Sequence, residues 1–176
     1  MKKLREHLPV TRAWVVAGLA LILLCAAGIT ACGGAGDQPD PSKADIGKTL
    51  ESEGWKVTLT GLPERESVVG TGGITNQAQG IFVIIPLTVV NENEQVLLFP
   101  QDLLKLRDTQ RREFVPTGST PQFAYLQAHP DKELLIDSPV LTGGARETIL
   151  IYDVPKDAKG LIMVVKGVDD TFNLGY

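Results

Sequence analysis

The sequence predicts an all-β protein, an antiparallel sandwich of eight or nine short strands. From Trp55 onward, apolar residues either alternate with polar ones or form short continuous runs, and both patterns are typical of β-strands. Turn-forming Gly, Pro, Asn and Asp residues separate these runs at short intervals, as they do in sandwiches. No long amphipathic helix pattern competes with this prediction.

The first strands surround a long apolar run. Residues 55–60 (WKVTLT) alternate apolar and polar side chains, which indicates a half-buried strand. Residues 81–90 (IFVIIPLTVV) are almost continuously apolar, as in a central strand covered on both faces. Pro86 lacks an amide donor, so either a bulge or a locally unpaired edge is expected there. Residues 91–94 then form a turn, and residues 95–99 form another short strand.

The later strands are shorter. Residues 103–107 and 112–115 flank residues 108–111 and predict a hairpin. Segment 116–132 is the least regular, although residues 122–129 could form a two-turn helix that Pro130 stops. Four further strands are predicted, at residues 133–136, 147–154, 161–166 and 171–176.

The aromatic residues suggest both a core and a surface. Trp55, Phe82 and Tyr152 sit at alternating strand positions, so we expect them to fill the space between two sheets. Phe123 and Tyr125 lie in segment 116–132 and are candidates for an exposed contact surface. The alternative is that both rings pack this segment onto the sandwich.

The N-terminal region has the three parts of a secretory signal. Residues 1–12 carry four basic side chains and one acidic side chain, residues 13–31 carry no charge, and small residues follow. An uncleaved transmembrane helix is the alternative, since about 19 apolar residues can span a bilayer. In either case the basic N-terminus stays inside and the domain lies on the extracytoplasmic face of the cell membrane.

At the end of this region, the aliphatic Ile29 and the small residues Thr30 and Ala31 stand directly before Cys32. This order resembles the lipobox of bacterial lipoproteins, with Ile29 at position −3 and Cys32 at the obligatory cysteine position. The resemblance implies diacylglyceryl transfer to the Cys32 sulfur and cleavage after Ala31, so acyl chains would anchor the protein in the membrane. Two or more chains make such anchoring stable.

Three segments follow from these patterns. Residues 1–31 are the expected signal peptide, residues 32–45 the lipidated cysteine with a Gly/Pro-rich flexible tether, and residues 46–176 the folded domain. Cys25 would leave with the signal, so no cysteine remains in the domain and no disulfide can hold it.

The charge of the mature chain excludes one class of partner. Without residues 1–31, 13 basic and 20 acidic side chains remain, a formal net charge of −7. An acidic chain without a basic stripe repels phosphate backbones, so we expect no binding to nucleic acid.

Four features occur in order along the domain, at segments 54–57 (GWKV), 90–92 (VNE), 104–108 (LKLRD), and 143–144 (GG) leading into 150–155 (LIYDVP). Together they resemble a family of bacterial lipoprotein domains of unknown function, related to a small secreted mycobacterial antigen. The resemblance implies an immunoglobulin-like β-sandwich over residues 46–176. The family has no established chemistry, so it implies no catalytic residue. The chain departs from it at residues 108–111, which lack the usual hairpin glycine, and at Pro86.

Catalytic patterns are weak in the mature chain. His129 is its single histidine, and no Gly-x-Ser-x-Gly element accompanies it. The carboxylates of Asp169-Asp170 and of Asp131, Glu133 and Asp137 match no calcium loop of defined spacing and read as turn residues. We therefore expect a protein that is not an enzyme and holds no metal or cofactor.

The leading functional hypothesis is a non-catalytic, lipid-anchored interaction or accessory domain of the cell envelope with a protein partner. Segment 116–132 and any exposed sheet edge are its expected contact surfaces. The main alternative is a carrier that binds a small apolar or peptide ligand between the sheets or under segment 116–132. An envelope hydrolase that uses His129 is a third reading.

Overall fold

The computed structural model describes residues 38–176, which form eleven strands and one helix. The predicted signal peptide, its lipobox and Cys32 lie outside the described residues. The first six strands are β1 (Thr49–Ser52), β2 (Trp55–Leu59), β3 (Glu64–Thr71), β4 (Ile74–Asn91), β5 (Leu97–Leu98) and β6 (Leu104–Arg107). They are followed by β7 (Glu113–Phe114), α1 (Ser119–Leu126), β8 (Pro139–Val140), β9 (Ala145–Val154), β10 (Ile162–Val165) and β11 (Thr171–Asn173).

The central sheet is built on β4, which is 18 residues long. Along one side, β4 pairs with β3 through residues 74–84 and with β2 through residues 87–91. Along its other side it pairs with β9 through residues 81–90, and β1 pairs with the free side of β2. All these pairings are antiparallel.

A second sheet and a short ribbon complete the strands. The second sheet has the order β11-β10-β6-β7, and the two-stranded ribbon joins β5 to β8. The buried side chains of both sheets form one continuous apolar cluster, which includes Trp55 from β2, Tyr152 from β9 and Phe172 from β11. The predicted all-β antiparallel sandwich is therefore confirmed, with more strands than expected and with β4 longer than the predicted residues 81–90.

A second apolar cluster lies on the outer face of the central sheet. Here α1 contributes Ala124 and Tyr125, which pack against Val69 of β3 and Ile151 of β9. Phe82 belongs to this cluster and not to the one between the sheets, so its predicted place was wrong. The apolar run of β4 is covered on both faces because the second sheet covers one and α1 the other.

The structure resolves the role of Pro86. Its carbonyl accepts a hydrogen bond from the Thr60 amide at 3.1 Å. The amide and carbonyl of one strand residue point to the same side, so the missing donor faces the gap between β2 and β3 and not β9. At Pro86 the edge of β4 that faces this gap thus lacks strand pairing, which is the second of the two predicted alternatives. The irregularity of register lies instead in β3, between Glu66 and Val68.

The predicted hairpin at residues 108–111 joins β6 to β7. It lacks a glycine, and Arg111 takes the left-handed conformation with φ of 63°. The buried Asp108 supports it by accepting hydrogen bonds from the Arg112 amide at 2.9 Å and from Arg112 Nε at 2.6 Å. The hydrogen bonds of this buried carboxylate thus help to stabilise a turn conformation that glycine adopts more easily than other residues.

Other boundaries differ from the sequence predictions. Residues 133–136 form no strand but one parallel bridge, Glu133 to Thr148. The helix spans Ser119–Leu126 and so begins three residues before the predicted residues 122–129. Three strands were not predicted, namely β1, β3 and β8.

The domain also begins earlier than residue 46. The Asp40 amide donates to the Gly175 carbonyl at 2.7 Å, and the Asp45 amide donates to the Asn173 carbonyl at 2.9 Å. The Asp45 carboxylate accepts the Asn173 amide in return, also at 2.9 Å. Residues 40–45, which were assigned to the flexible tether, therefore lie against the C-terminal strand.

Candidate functional site

The helix is attached to the sheet through one buried amide side chain. Gln122 Nε2 donates to Thr148 Oγ1 and to the Ile149 carbonyl of β9. Its Oε1 accepts the amides of Leu135 and Ile136 at 3.2 and 3.0 Å. Gln122 therefore joins α1, β9 and the segment after the helix, a role that its sequence context did not indicate.

The two predicted contact residues have different environments. Phe123 is 47% exposed and points away from the sheet. Tyr125 is 8% exposed and belongs to the apolar cluster under the helix. The packing alternative therefore holds for Tyr125, and only Phe123 is available as a contact.

Tyr125 takes part in a small polar group beside β3. Its hydroxyl donates to Glu64 Oε2 at 3.1 Å, and its ring stacks on the His129 ring with centroids 3.9 Å apart. These residues line a depression of about 220 Å³ together with Glu66 and Gly70. Burial, with the charge of Glu64, raises the pKa of the Tyr125 phenol, which therefore stays protonated and acts as a hydrogen-bond donor.

The histidine is held by backbone and not by a catalytic partner. His129 Nδ1 lies 3.0 Å from the Tyr125 carbonyl oxygen, one helical turn before it. When that nitrogen carries the proton, the hydrogen bond fixes the ring over Tyr125. A hydrolytic triad needs a hydroxyl or thiol nucleophile at the other ring nitrogen. In residues 38–176 the ring's hydrogen-bond partner is this carbonyl.

The carboxylates singled out in the sequence do not converge. Asp170 pairs with Lys48 at 2.8 Å, Glu133 pairs with Arg146 at 3.3 Å, and Asp137 accepts the hydroxyl of Ser119 at 2.8 Å. Over the described range, no group of three or more His, Cys, Asp or Glu side chains is placed to hold a metal ion.

An exposed apolar surface lies on the β5–β8 ribbon. Val140 is buried and Leu97 packs against the core, so the ribbon turns these two paired residues inward. The neighbouring positions alternate outward. As a result Val96, Leu98 and Leu141 are 52%, 56% and 66% exposed, and we call these three residues the distal apolar surface.

The buried side chain of Asn91 fixes this surface to the sandwich. Asn91 Nδ2 donates to the Gln95 carbonyl at 2.8 Å and to the Val140 carbonyl at 2.9 Å. Its backbone is paired with Gly143 and Gly144, which place Leu141. The distal apolar surface is thus carried on a hydrogen-bonded support and not on a loose loop.

Sequence reasoning found the strand at residues 95–99 but not this surface. A run of apolar residues in a strand of period two must place alternate side chains outside. The signal was therefore present in the sequence, but β8, which completes the ribbon, has only two residues and one is a proline.

One free edge of the central sheet, that of β3, is an unfavourable place for strand addition. β3 pairs with β4 alone, and Glu64, Arg65 and Glu66 put three charges on its first half. The irregularity of register follows directly after them. Charges and bulges on edge strands are common devices against pairing with other chains.

Comparisons with known proteins support the fold and leave the chemistry open. No family model matches the chain, and no curated protein matches its sequence. A conserved hypothetical protein from Bacillus anthracis has a similar structure, with a TM-score of 0.56 and 13% identity over 75% of this chain and 95% of that one. This likeness shows the fold alone.

Two further solved structures are more distant. An uncharacterised β-sandwich protein from Clostridium difficile 630 has a TM-score of 0.49 and 13% identity over 77% of this chain and 93% of that one. The yjhA protein from Bacillus subtilis has a TM-score of 0.46 and 18% identity over 68% of this chain and 79% of that one.

The predicted anchor residues Ile29, Thr30, Ala31 and Cys32 lie outside the described residues. Within residues 38–176, no helix has the length and apolar character needed to cross a membrane.

Proposed function

We propose that this protein is a lipid-anchored, non-catalytic interaction domain on the extracytoplasmic face of a bacterial cell membrane. The proposed anchor is Cys32, at the end of the signal-like segment and within the lipobox-like residues 29–32. The resemblance to lipoprotein domains related to a secreted mycobacterial antigen belongs to the same proposal. The distal apolar surface is the observation that carries the interaction role.

That surface lies at the opposite end of the sandwich from residue 40. In the second sheet, Arg107 pairs with Ile162, which also pairs with Asn173, the neighbour of Asp45. We call this end, where residues 40–45 join the fold, the proximal end.

The other end of the same strands is the distal end. There Leu104 pairs with Val165, and the next residue, Lys166, accepts the Ser52 hydroxyl through its carbonyl at 2.5 Å. The Glu92 amide donates to Gly54 at 2.8 Å, so the turn that leads to Val96 also lies here. A domain tethered at the proximal end can present the distal apolar surface away from the membrane.

The surroundings of this surface define the chemistry of its partner. Glu94 is exposed in the turn just before Val96, and Glu92 in the same turn is paired with Lys56 at 2.6 Å. Protein interfaces commonly have an apolar centre and a polar rim of complementary charge. We therefore propose a protein partner with an apolar centre and a basic rim.

The anchor is tested by Cys32→Ser. We expect the variant to accumulate as unprocessed precursor, which intact-mass measurement distinguishes from the acylated mature chain. Cys25→Ser is the matched control, since Cys25 lies inside the predicted signal peptide. Normal processing of the Cys32→Ser chain would overturn the anchor.

The contact surface is tested by photo-crosslinking in intact cells. A photoreactive amino acid at Leu98 is expected to give a discrete adduct with another protein, because Leu98 is 56% exposed in the distal apolar surface. Phe123, which is 47% exposed on α1, is the matched position. An adduct at Phe123 but not at Leu98 would show that the partner contacts α1 and not the distal apolar surface.

The packing of the described residues limits the places where a carrier could bind its ligand. Buried side chains from both sheets fill the space between them, including Trp55, Leu106 and Tyr152. Under segment 116–132, the depression beside Tyr125 and His129 offers room for a small ligand. Native mass spectrometry of the purified protein tests this alternative, which requires a reproducible copurifying small molecule.

A further inference from the structure

The basic side chains of the domain divide into two groups. Residues 38–176 contain 13 Lys and Arg side chains, and most of them bond to a carboxylate or a carbonyl. Four have no ion pair or side-chain hydrogen bond to any of the described residues. These four are Arg107, Arg111, Lys156 and Lys159.

All four unpaired basic residues lie at the proximal end. Arg107 is the last residue of β6, and Arg111 is in the hairpin that follows it. The Thr109 amide donates to the Lys159 carbonyl at 3.0 Å, which joins that hairpin to the loop that also contains Lys156. We call these four residues the proximal basic cluster.

The two ends of the sandwich differ in charge. Segments 40–45, 62–66, 107–112 and 153–160 at the proximal end carry seven basic and seven acidic side chains, a net charge of 0. Segments 51–56, 92–102 and 166–170 at the distal end carry two basic and seven acidic side chains, a net charge of −5. Both distal lysines, Lys56 and Lys166, are neutralised by ion pairs. In this acidic chain, the unpaired basic side chains thus lie at the proximal end, which is the end joined to the proposed anchor.

We propose that the proximal basic cluster docks on the anionic phospholipid headgroups of the membrane that holds the anchor. This proposal rests on the proposed lipid anchor. From Cys32 to Asp40 the chain has eight residue steps, which span at most about 28 Å. The tether therefore keeps the cluster close to the headgroups, and a docking contact too weak to bind alone becomes effective.

The chemistry of the cluster suits phosphate at a membrane surface. Arginine guanidinium groups bind phosphate oxygens through two parallel hydrogen bonds, and lysines add point charges. Attraction to an anionic surface falls off within about 8 Å at physiological ionic strength, so the four unpaired groups act only at close approach. The acidic distal end is repelled by the same surface, and both effects orient the domain with the distal apolar surface outward.

The conformation of Arg111 is consistent with this role. Arg111 takes a φ of 63° at a position where glycine is favoured. A strained residue at a turn tip is commonly kept for what its side chain does.

The test uses the mature lipidated protein, reconstituted into vesicles of phosphatidylcholine alone or of phosphatidylcholine mixed equally with phosphatidylglycerol. Gln110→Cys places a fluorophore at the proximal end and Glu94→Cys places one at the distal end. The acylated Cys32 is the only other cysteine expected after signal removal, so each variant is labelled at one site. The readout is quenching by a headgroup-attached quencher.

We expect strong quenching at residue 110 in the mixed vesicles and little in phosphatidylcholine alone, with weak quenching at residue 94 in both. Changing Arg107, Arg111, Lys156 and Lys159 to Gln together should abolish the phosphatidylglycerol-dependent quenching. The ratio of docked to undocked domain should fall about fivefold for each charge removed. Lys56→Gln with Lys166→Gln is the matched control and should leave quenching at residue 110 unchanged.

Two results overturn the docking, namely equal quenching at residue 110 in both vesicle types or quenching that survives the fourfold variant. We expect the fourfold variant to fold, since the four side chains have no partners among the described residues. Circular dichroism of the variant checks this. Flotation of the same samples reports the anchor separately. Flotation without phosphatidylglycerol-dependent quenching rejects the docking alone, while failure to float rejects the anchor and the docking that rests on it.

Discussion

The two faces of the central sheet are covered in different ways. On the inner face, apolar side chains of both sheets pack together, and Trp55 meets Phe99 edge to face with ring centroids 5.2 Å apart. On the outer face, a single eight-residue helix covers a smaller apolar cluster. Its attachment depends on Gln122, a buried polar side chain. The inner face is thus stabilised mainly by burial of apolar area, and the outer face by burial together with a specific set of hydrogen bonds.

The outer face also has a stricter steric requirement. Gly70 has a φ of 101°, and a Cβ atom there would lie 3.0 Å from the Cβ of Ala124 and would clash with the Ile74 carbonyl. Glycine is therefore needed where β3 passes α1. We expect the inner face to tolerate conservative apolar changes, whereas the helix-covered face depends on a few particular residues such as Gly70 and Gln122.

The largest predicted effect is on the inner face. Trp55→Ala removes one of the largest fully buried side chains and should lower the free energy of unfolding by about 3–5 kcal/mol. Urea unfolding followed by circular dichroism measures this change. Val96→Ala, at a position that is 52% exposed, is the control and should change stability little. A comparable loss in both variants would show that packing between the sheets is not the main source of stability.

The next effect is on the outer face. Gln122→Ala leaves the buried amides of Leu135 and Ile136 without an acceptor and should cost about 2–4 kcal/mol. Hydrogen exchange should show faster exchange in α1 and in residues 133–136 than in β2. Gln127→Ala is the control, because Gln127 is exposed at the end of the helix. Uniform loss of protection in both regions would contradict a separate stability of the helix-covered face.

The sequence predicts the inner face better than the outer one. The alternation at residues 55–60 and the apolar run at residues 81–90 report local burial, and both strands were found. The run also indicated cover on both faces, but periodicity cannot say which element supplies the second cover. Gln122 has no local signal, since its four hydrogen bonds join positions distant in sequence.

The missed strands have physical reasons as well. The first half of β3 carries Glu64, Arg65 and Glu66, so it shows no apolar alternation, and its pairing comes from β4. β8 has two residues, and its pairing with β5 depends on Asn91, which is more than 40 residues away. The distal apolar surface could not be placed before this ribbon was known.

The buried carboxylate of Asp108 also supports the second sheet, and it makes the stability of that sheet depend on pH. Burial alone raises the pKa of Asp108, but the hydrogen bonds from the Arg112 side chain and amide outweigh it and hold the pKa below the ordinary value of 3.8. A lowered pKa in the folded state stabilises the protein above the unfolded-state pKa, and this stabilisation is lost as the pH falls through the folded-state pKa.

Asp108→Asn should therefore lower the free energy of unfolding by about 1.5 kcal/mol at neutral pH. The difference from the parent protein should stay constant from neutral pH down to about pH 5 and shrink as the pH falls below about 4. Urea unfolding across this range measures it. Asp157→Asn is the control, because Asp157 also pairs with Arg112 but is largely exposed. A difference independent of pH would mean that the Asp108 charge contributes nothing.

The smallest effect has the opposite sign. Arg111→Gly should raise the free energy of unfolding by about 1 kcal/mol, because glycine adopts a φ of 63° without the steric cost that a side chain brings. The same variant removes one charge of the proximal basic cluster and should weaken docking on phosphatidylglycerol vesicles. Arg111→Lys keeps both the strain and the charge, so it should change neither property. A glycine variant that is no more stable than the parent would show that the hydrogen bonds of Asp108 already remove the strain at this turn. A glycine variant that is more stable but docks more weakly would show that the protein keeps a less stable turn at the proximal end because the charge of Arg111 is needed there.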